Sequence, residues 1–185
     1  MEKKIKDRYN QAIFLEAVGR YGIEADQIRL LDGFESFIYE FERGGHAYIL
    51  RIAHSIRRTL PLIHSEVDWI NHLSEGGAPV AKAIRSDQGR LVELVEDGVG
   101  GQFLLTTFVK ARGNPPRKED MTPQLFEKYG QLLGRMHALS KVYEPANAEW
   151  RRPRWNDPIM LEVEKYLPET DGLVLERFKE LMDYL

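Results

Sequence analysis

Apolar residues in the first half of the chain follow helical spacing in some segments and strand-like runs in others. Helical spacing near the N-terminus ends at Gly22, and β-branched and aromatic runs follow it. The pair Gly44-Gly45 between two such runs predicts a hairpin turn. The predicted elements are a helix over residues 8–21, strands across 28–53, a helix over 62–74, two strands around the turn at 86–90, and a last strand over 102–109.

The pattern changes after residue 110, where "KARGNPPRKEDMTP" is rich in helix breakers and everything later reads as helix. Thr122 and Pro123 are a cap and a first residue for a long helix. Its apolar stripe contains Leu125, Tyr129, Leu132, Leu133, Met136 and Leu139. A shorter helix over 157–168 and a final amphipathic segment running to Leu185 complete the prediction. We therefore expect one unit over residues 1–110 and the start of a helical unit over 111–185.

The composition mainly excludes several classes of protein and of binding site. The 185 residues are 43% hydrophobic and 30% charged, as in an ordinary globular protein, and the net charge of -3 gives no general attraction to nucleic acid or anionic membranes. No apolar run approaches the ~20 residues of a membrane span, and the N-terminus lacks the apolar stretch of a signal peptide. With no cysteine, disulfides and thiolate metal sites are excluded. We expect a cytoplasmic location.

One charged residue, Arg51, lies inside an apolar strand, "AYILRIAHS". Period-two alternation places its side chain on one face with Ile49 and Ala53. Glu66 lies on the apolar stripe of the following helix, four residues before Ile70. Taken alone, each residue has a simpler interpretation, in which Glu66 lies at the edge of the apolar stripe and the Arg51 side chain extends to water. Two opposite charges on the inner faces of neighbouring elements favour an ion pair instead, with donors left over for an anionic ligand.

The segment "YILRIA", followed by "SEVDWINHLSEGGAPVAKAI" and later by "LLGRMHALS", resembles the aminoglycoside phosphotransferase family, which includes choline-, homoserine- and methylthioribose-kinase-like enzymes. The resemblance covers roughly residues 30–139. It implies an α+β fold of the protein-kinase type. An antiparallel five-stranded sheet with one packed helix forms the N-terminal lobe, and the first helices of a helical C-terminal lobe follow.

The resemblance also implies a nucleotide site for ATP or GTP. Arg51 would bind the α- and β-phosphates, and Glu66 would orient it. Thr106 would be the gatekeeper, and the Thr107 carbonyl and Val109 amide would meet the adenine edge. The remaining implied positions are Phe108 and Ile49 beside the base, and Ser36 and the Phe37 amide nearest the phosphates.

The catalytic loop of such enzymes, H-x-D-x-x-x-x-N, is missing, since none of the five histidines is followed two residues later by aspartate. The sequence thus predicts no catalytic residue and no metal ligand in this chain. We expect the nucleotide-binding part of a longer phosphotransferase, cut before the catalytic loop and inactive by itself. The longer protein would use Mg²⁺ and a small-molecule hydroxyl substrate. The alternative is a non-catalytic kinase-like module that binds a partner protein.

Two further features have competing interpretations. "EWRRPRWNDP" (residues 149–158) mixes arginine with Trp150 and Trp155, as in surfaces that bind RNA or an anionic substrate. Because the net charge is negative, we favour a surface loop anchored to the helices by its tryptophans. His137 is predicted to be a packed core histidine and not a base.

Overall fold

The computed structural model describes residues 2–31, 33–154, 157 and 171–182. A 3₁₀ turn, Lys118–Asp120, precedes the fourth of its helices. The elements in chain order are α1 (Lys3–Arg8), α2 (Gln11–Gly19), β1 (Ile28–Leu31), β2 (Phe37–Arg43), β3 (His46–His54), α3 (Leu60–Glu75), β4 (Ala83–Ile84), β5 (Glu93–Glu96), β6 (Gln102–Val109), α4 (Pro123–Ser140) and α5 (Gly172–Met182).

The strands form one antiparallel sheet in the order β1-β2-β3-β6-β4, with β5 also paired to β6. One edge of β6 therefore pairs with β3, whereas the other edge is shared by two short strands. Glu93 of β5 lies opposite Leu105, and Ala83 of β4 lies opposite Phe108. The α+β kinase-like prediction is confirmed, with six strands instead of five.

The predicted hairpin turn joins β2 to β3. Gly44 and Gly45 have φ values of 58° and 75°, in the left-handed region that glycine adopts without a Cβ penalty. The N-terminal helix predicted over residues 8–21 corresponds to α2, which begins at Gln11, and the short helix α1 before it was not predicted. The Asn10 side chain accepts hydrogen bonds from the backbone N–H groups of Ala12 (3.0 Å) and Ile13 (3.1 Å), so it caps α2.

The sheet is covered on both faces. Leu50 and Ile52 of β3 pack with Ile5 of α1, Ala17 of α2 and Tyr21, which follows α2, and all three of these are buried. Larger residues complete this core, namely Tyr39, Phe41, Phe103 and Leu105. A single packed helix was expected, but apolar side chains on both sides of the central strands require cover on both sides.

The second face of the sheet carries α3. Val67 of α3 is fully buried against Ala53 and Leu104 of the sheet. Thr59 caps this helix, accepting a hydrogen bond from the Leu62 N–H at 3.4 Å. This packing directs one flank of α3 toward the strand that carries Arg51.

The predicted cap of α4 is present, since the Thr122 hydroxyl accepts a hydrogen bond from the Leu125 N–H at 3.3 Å. No residue of α4 is buried within the described part of the chain, and Phe126 and Tyr129 are more than half exposed. His137 is also exposed, so its assignment to a packed core was wrong. In the described part, α4 packs against α3.

Residues Met1–Arg151 form one compact unit and Arg152–Leu185 another. The expected division near residue 110 stays a prediction. The helix predicted over 157–168 and the end of the final segment at Leu185 lie outside the described residues, apart from Asp157. Trp155 also lies outside them. Within the described ranges, no helix is long and apolar enough to cross a membrane.

Candidate functional site

Arg51 and Glu66 form the predicted ion pair in a two-pronged geometry. Arg51 Nη1 donates to Glu66 Oε1 at 2.8 Å, and Nη2 donates to Oε2 at 3.0 Å. The side chains are 22% and 25% exposed, so both charges are largely shielded from water. A guanidinium has five N–H groups, so each Nη retains one N–H beyond those bound to the carboxylate.

Strand β6 fixes the rest of the Arg51 side chain. Arg51 lies directly opposite Thr106, and its Nε donates to the Thr106 hydroxyl at 3.1 Å. Two residues along the same face, the Phe108 ring lies 5.1 Å from the guanidinium carbon. The arginine is therefore held on three sides before any ligand arrives.

A cavity of about 460 Å³ opens beside this arginine. Ile49 lines it, together with Phe108 and with Ile38 of the neighbouring strand. The remaining walls come from Trp69, Ile70, Leu73, Val80, Ala81, Val109, Ala111 and Met136. The apolar walls suit a flat ring system, and the charged pair lies at one end.

The loop before β2 closes the charged end of the cleft. Ser36 lines a small cavity of about 100 Å³ together with Arg51 and Glu66. A Cβ on Gly33 would lie 2.2 Å from the Ser36 carbonyl oxygen, so the loop turns back too tightly for any side chain at that position. This contact explains why a loop with a single glycine can still fold over the end of β3.

Two arginines that the sequence reasoning missed also line the small cavity. Arg57 donates to Glu35 of the loop at 2.8 Å and to Glu2 at 2.8 Å, and Arg58 contacts Glu35 at 3.4 Å. They follow the end of β3 after Ser55 and Ile56, and their proximity in the sequence to the strand that bears Arg51 was the available signal. These contacts tether the loop to the end of β3.

Two predicted positions point away from the cleft. The Phe37 ring stacks on Tyr9 at 3.8 Å, on the sheet face covered by the N-terminal helices. The Thr107 side chain is fully buried on that same side of β6, since it alternates with Thr106 and Phe108. Only the backbone of Phe37 or Thr107 is left to serve the predicted role.

The predicted base contact at the Val109 amide is wrong, because that N–H donates to the Lys82 carbonyl at 2.9 Å. Lys82 precedes β4, and its pairing with the end of β6 occupies the Val109 N–H. The Lys110 N–H is likewise bound, to the Ala47 carbonyl at 2.9 Å. Within the described part of the chain, no hydrogen bond engages the Val109 carbonyl or the Ala111 N–H, and both residues line the cleft.

A buried polar network supports the strand end beneath the small cavity. The side chains of Asp97 and His54 have no exposed surface, and the Asp97 carboxylate accepts from Arg8 at 2.5 Å and from His54 at 3.1 Å. Burial alone raises the pKa of Asp97, but hydrogen bonds from the Val99 and Gly101 N–H groups, Arg8 and His54 outweigh it. Its pKa therefore lies well below the ordinary value, and the carboxylate stays charged.

Among the residues that the structure describes, no three histidine, aspartate or glutamate side chains come together as a metal site. The site thus consists of a shielded cation, an apolar cleft, a tight polar loop and two unengaged backbone groups at the opposite end. Such a set can hold a flat heterocycle that carries anionic groups.

Comparison with known proteins identifies relatives with the same arrangement of elements. The sequence profile of the phosphotransferase enzyme family matches residues 26–185. Amicoumacin kinase of Bacillus subtilis (strain 168) is 37% identical over 186 residues, covering all of this chain and 55% of that protein. An amicoumacin kinase structure in complex with AMP-PNP, Ca²⁺ and Ami superposes with a TM-score of 0.91 at 37% identity, over 100% of this chain and 56% of that one.

A more distant structure, a spectinomycin phosphotransferase, shares the fold with a TM-score of 0.57 at 14% identity, covering 84% of this chain and 45% of that one. The chain spans about half the length of the relatives that it matches. Because the profile covers most of the chain and the fold agrees, this chain belongs to the phosphotransferase enzyme family.

Proposed function

We propose that this chain is the N-terminal, nucleotide-binding part of an ATP-dependent phosphotransferase that acts on a hydroxyl group of a small molecule. The observation that carries the proposal is the two-pronged Arg51–Glu66 pair at the end of an apolar cleft. A shielded ion pair adds little stability by itself, because desolvation offsets the Coulomb gain. A phosphate ligand explains why the pair is present, because the glutamate holds the guanidinium in position to bind it.

In this proposal the two ends of the cleft bind different parts of ATP. The spare N–H groups of Arg51 donate to the α- and β-phosphates, with Ser36 and the loop backbone nearby. Ile38 and Ile49 lie against the face of the adenine. The Ala111 N–H donates to a ring nitrogen of the base.

The Val109 carbonyl takes the place of the Thr107 carbonyl expected from the sequence and completes the base contact by accepting from the adenine amino group. An extended backbone presents the carbonyl of one residue and the N–H of the second residue after it on the same side. Val109 and Ala111 have this spacing, with the bound amide of Lys110 between them.

Chemistry beyond binding belongs to the whole protein in this proposal. The whole protein would supply a general base and carboxylate ligands for Mg²⁺, which neutralises charge on the transferring phosphoryl group. This chain by itself is expected to bind nucleotide without turnover, and any ADP formation in a coupled assay would contradict that. The 37% identity to amicoumacin kinase makes amicoumacin the first acceptor to test with the whole protein. Use of ATP also supports the expected cytoplasmic location.

Calorimetric titration of ATP and adenosine into wild-type protein and Arg51→Ala tests the nucleotide site. Loss of a charge-assisted hydrogen bond costs about 1.5–3 kcal/mol, so ATP affinity should fall roughly ten- to a hundred-fold. Adenosine affinity should hardly change, because adenosine has no phosphate. Arg177→Ala, which removes an exposed arginine from the surface ion pair with Glu180 on α5, is the control and should alter neither ligand.

Equal losses for both ligands would mean that the substitution damaged the cleft and would contradict the phosphate role. Failure of the wild-type chain to bind ATP would favour the alternative, a non-catalytic module that binds a partner protein.

A further inference from the structure

A second cavity, of about 660 Å³, lies on the other flank of α3. Leu60, His64 and Asp68 line it at four-residue intervals along the helix. At about 100° per residue, Glu66 is turned about 200° from His64, so this cavity and the Arg51–Glu66 cleft lie on different sides of α3. It is therefore separate from the proposed nucleotide site.

An aromatic pair forms one wall of the second cavity. The Trp150 ring lies flat on the His64 ring, with centroids 4.5 Å apart and planes inclined by 7°. Asp68 holds the loop that carries this tryptophan, accepting from the Tyr143 hydroxyl at 2.6 Å and from the Ala146 N–H at 3.1 Å. The predicted anchoring of this loop by a tryptophan is confirmed for Trp150, and the wall is a built feature of the fold.

Positive charge exceeds negative charge around the cavity. Its carboxylates are already engaged, since Asp68 holds the loop and Glu93 pairs with Arg90 at 2.7 Å. Arg20 pairs with a residue of its own helix, Glu16. Arg85 donates to the Gly89 carbonyl at 2.7 Å, and no carboxylate in the described ranges forms an ion pair with it. Arg85 thus supplies a cation that an anionic ligand can meet.

Buried polar atoms on three residues lining this cavity lack hydrogen-bond partners among the described residues, namely Arg20 Nε, His64 Nδ1 and Glu93 Oε2. The charge of Glu93 is compensated, because its Oε2 lies 2.7 Å from Arg90 Nη2. Buried polar atoms in native proteins nearly always have a partner, so the two nitrogen atoms show that the described residues leave polar groups unsatisfied around this cavity.

We propose that this cavity is a second small-molecule site that takes a flat aromatic compound bearing one carboxylate. The ring would lie against the Trp150–His64 wall, and the carboxylate would meet Arg85. Two apolar side chains that also line the cavity, Leu91 and Leu94, would cover the rest of the ring. The site is independent of the proposed nucleotide binding.

The experiment titrates the protein with 1-naphthoate and with its neutral counterpart 1-naphthalenemethanol, and follows the Trp150 indole N–H by two-dimensional NMR. We expect saturable shifts at Trp150 and on α3 with 1-naphthoate. The alcohol should bind about tenfold more weakly, because it lacks the charge-assisted hydrogen bond. Arg85→Ala should weaken 1-naphthoate to the level of the alcohol, Arg85→Lys should restore most of the affinity, and Arg177→Ala should have no effect.

Three results would overturn the proposal. One is the absence of a saturable shift at Trp150 for either compound, which would mean that the cavity takes no aromatic ligand. Another is equal affinity for the acid and the alcohol in the wild-type protein. The third is a shift pattern confined to Ile49 and Phe108 that ATP displaces, which would place the probe in the nucleotide cleft. Thermal unfolding of each variant checks that the exposed Arg85 is not needed for folding.

Discussion

Replacing Ala111 with proline deletes one backbone N–H at the open end of the proposed nucleotide cleft. The structure makes this the sharpest test of base recognition. The Ala111 N–H has no partner in the described part of the chain, whereas the Val109 N–H is bound to Lys82. If the Ala111 amide donates to the adenine ring, Ala111→Pro removes that bond directly.

The loss of affinity depends on the hydrogen bond that is removed and on the adenine acceptor that is left without a partner. A neutral hydrogen bond contributes about 0.5–1.5 kcal/mol net, and a buried acceptor without a partner costs about 1–3 kcal/mol. A loss of about 1–2 kcal/mol corresponds to roughly five- to thirtyfold weaker binding. ATP and adenosine should weaken equally, because the contact is to the base, in contrast to Arg51→Ala, which should affect ATP alone.

Calorimetric titration of both ligands is the assay, and Ala111→Gly, which keeps the N–H, is the matched control. The same geometry predicts a preference for ATP over GTP. Guanine has a carbonyl where adenine has an amino group, so it would face the Val109 carbonyl acceptor to acceptor. Unchanged affinity of folded Ala111→Pro for ATP and adenosine would refute the contact between the Ala111 N–H and the base. Another group would then have to bind the adenine.

Three further predictions address the loop, the buried network and the core. Gly33→Ala should lower the calorimetric affinity for ATP but not for adenosine, since its Cβ would collide with the Ser36 carbonyl oxygen at 2.2 Å; equal ATP affinity would contradict the loop's role. The lowered pKa of Asp97 means that its contribution to stability is complete above its ordinary pKa of 3.8 and is lost as the pH falls below that value. Denaturation of Asp97→Asn should therefore depend less on pH between about 4 and 2 than that of the wild type, and identical profiles would disprove this. Tyr21→Phe removes the donor to the Leu105 carbonyl (3.1 Å), so urea titration should show a loss of about 0.5–1.5 kcal/mol, and an unchanged midpoint would count against that bond.

The Arg51–Glu66 pair was accessible from the sequence because strands and helices have fixed periods. Alternation placed Arg51 on the inner face of its strand, and helical spacing placed Glu66 on the inner stripe of its helix. The hairpin at Gly44-Gly45 and the start of α4 at Thr122 were predictable for a similar reason, since a local backbone requirement selects those residues.

Other features had a local signal that competing patterns concealed. Asn10 caps α2, yet the predicted helix began before it, at residue 8, and the six-residue helix α1 was not predicted. A helix of six residues is too short to show a periodic apolar pattern. His137 follows Met136, a residue of the apolar stripe of α4, yet periodicity does not say which other element, if any, covers that helix.

Base recognition and the second cavity were decided by the tertiary structure alone. Whether the Val109 amide is free depends on the pairing of β6 with the two-residue strand β4, which has too few residues to show a pattern. The contact between His64 and Trp150 joins residues far apart in the sequence. A periodic sequence determines which face a side chain occupies, because that geometry is local. Which groups then meet, and which stay unpaired, is set by the packing of elements distant in the chain.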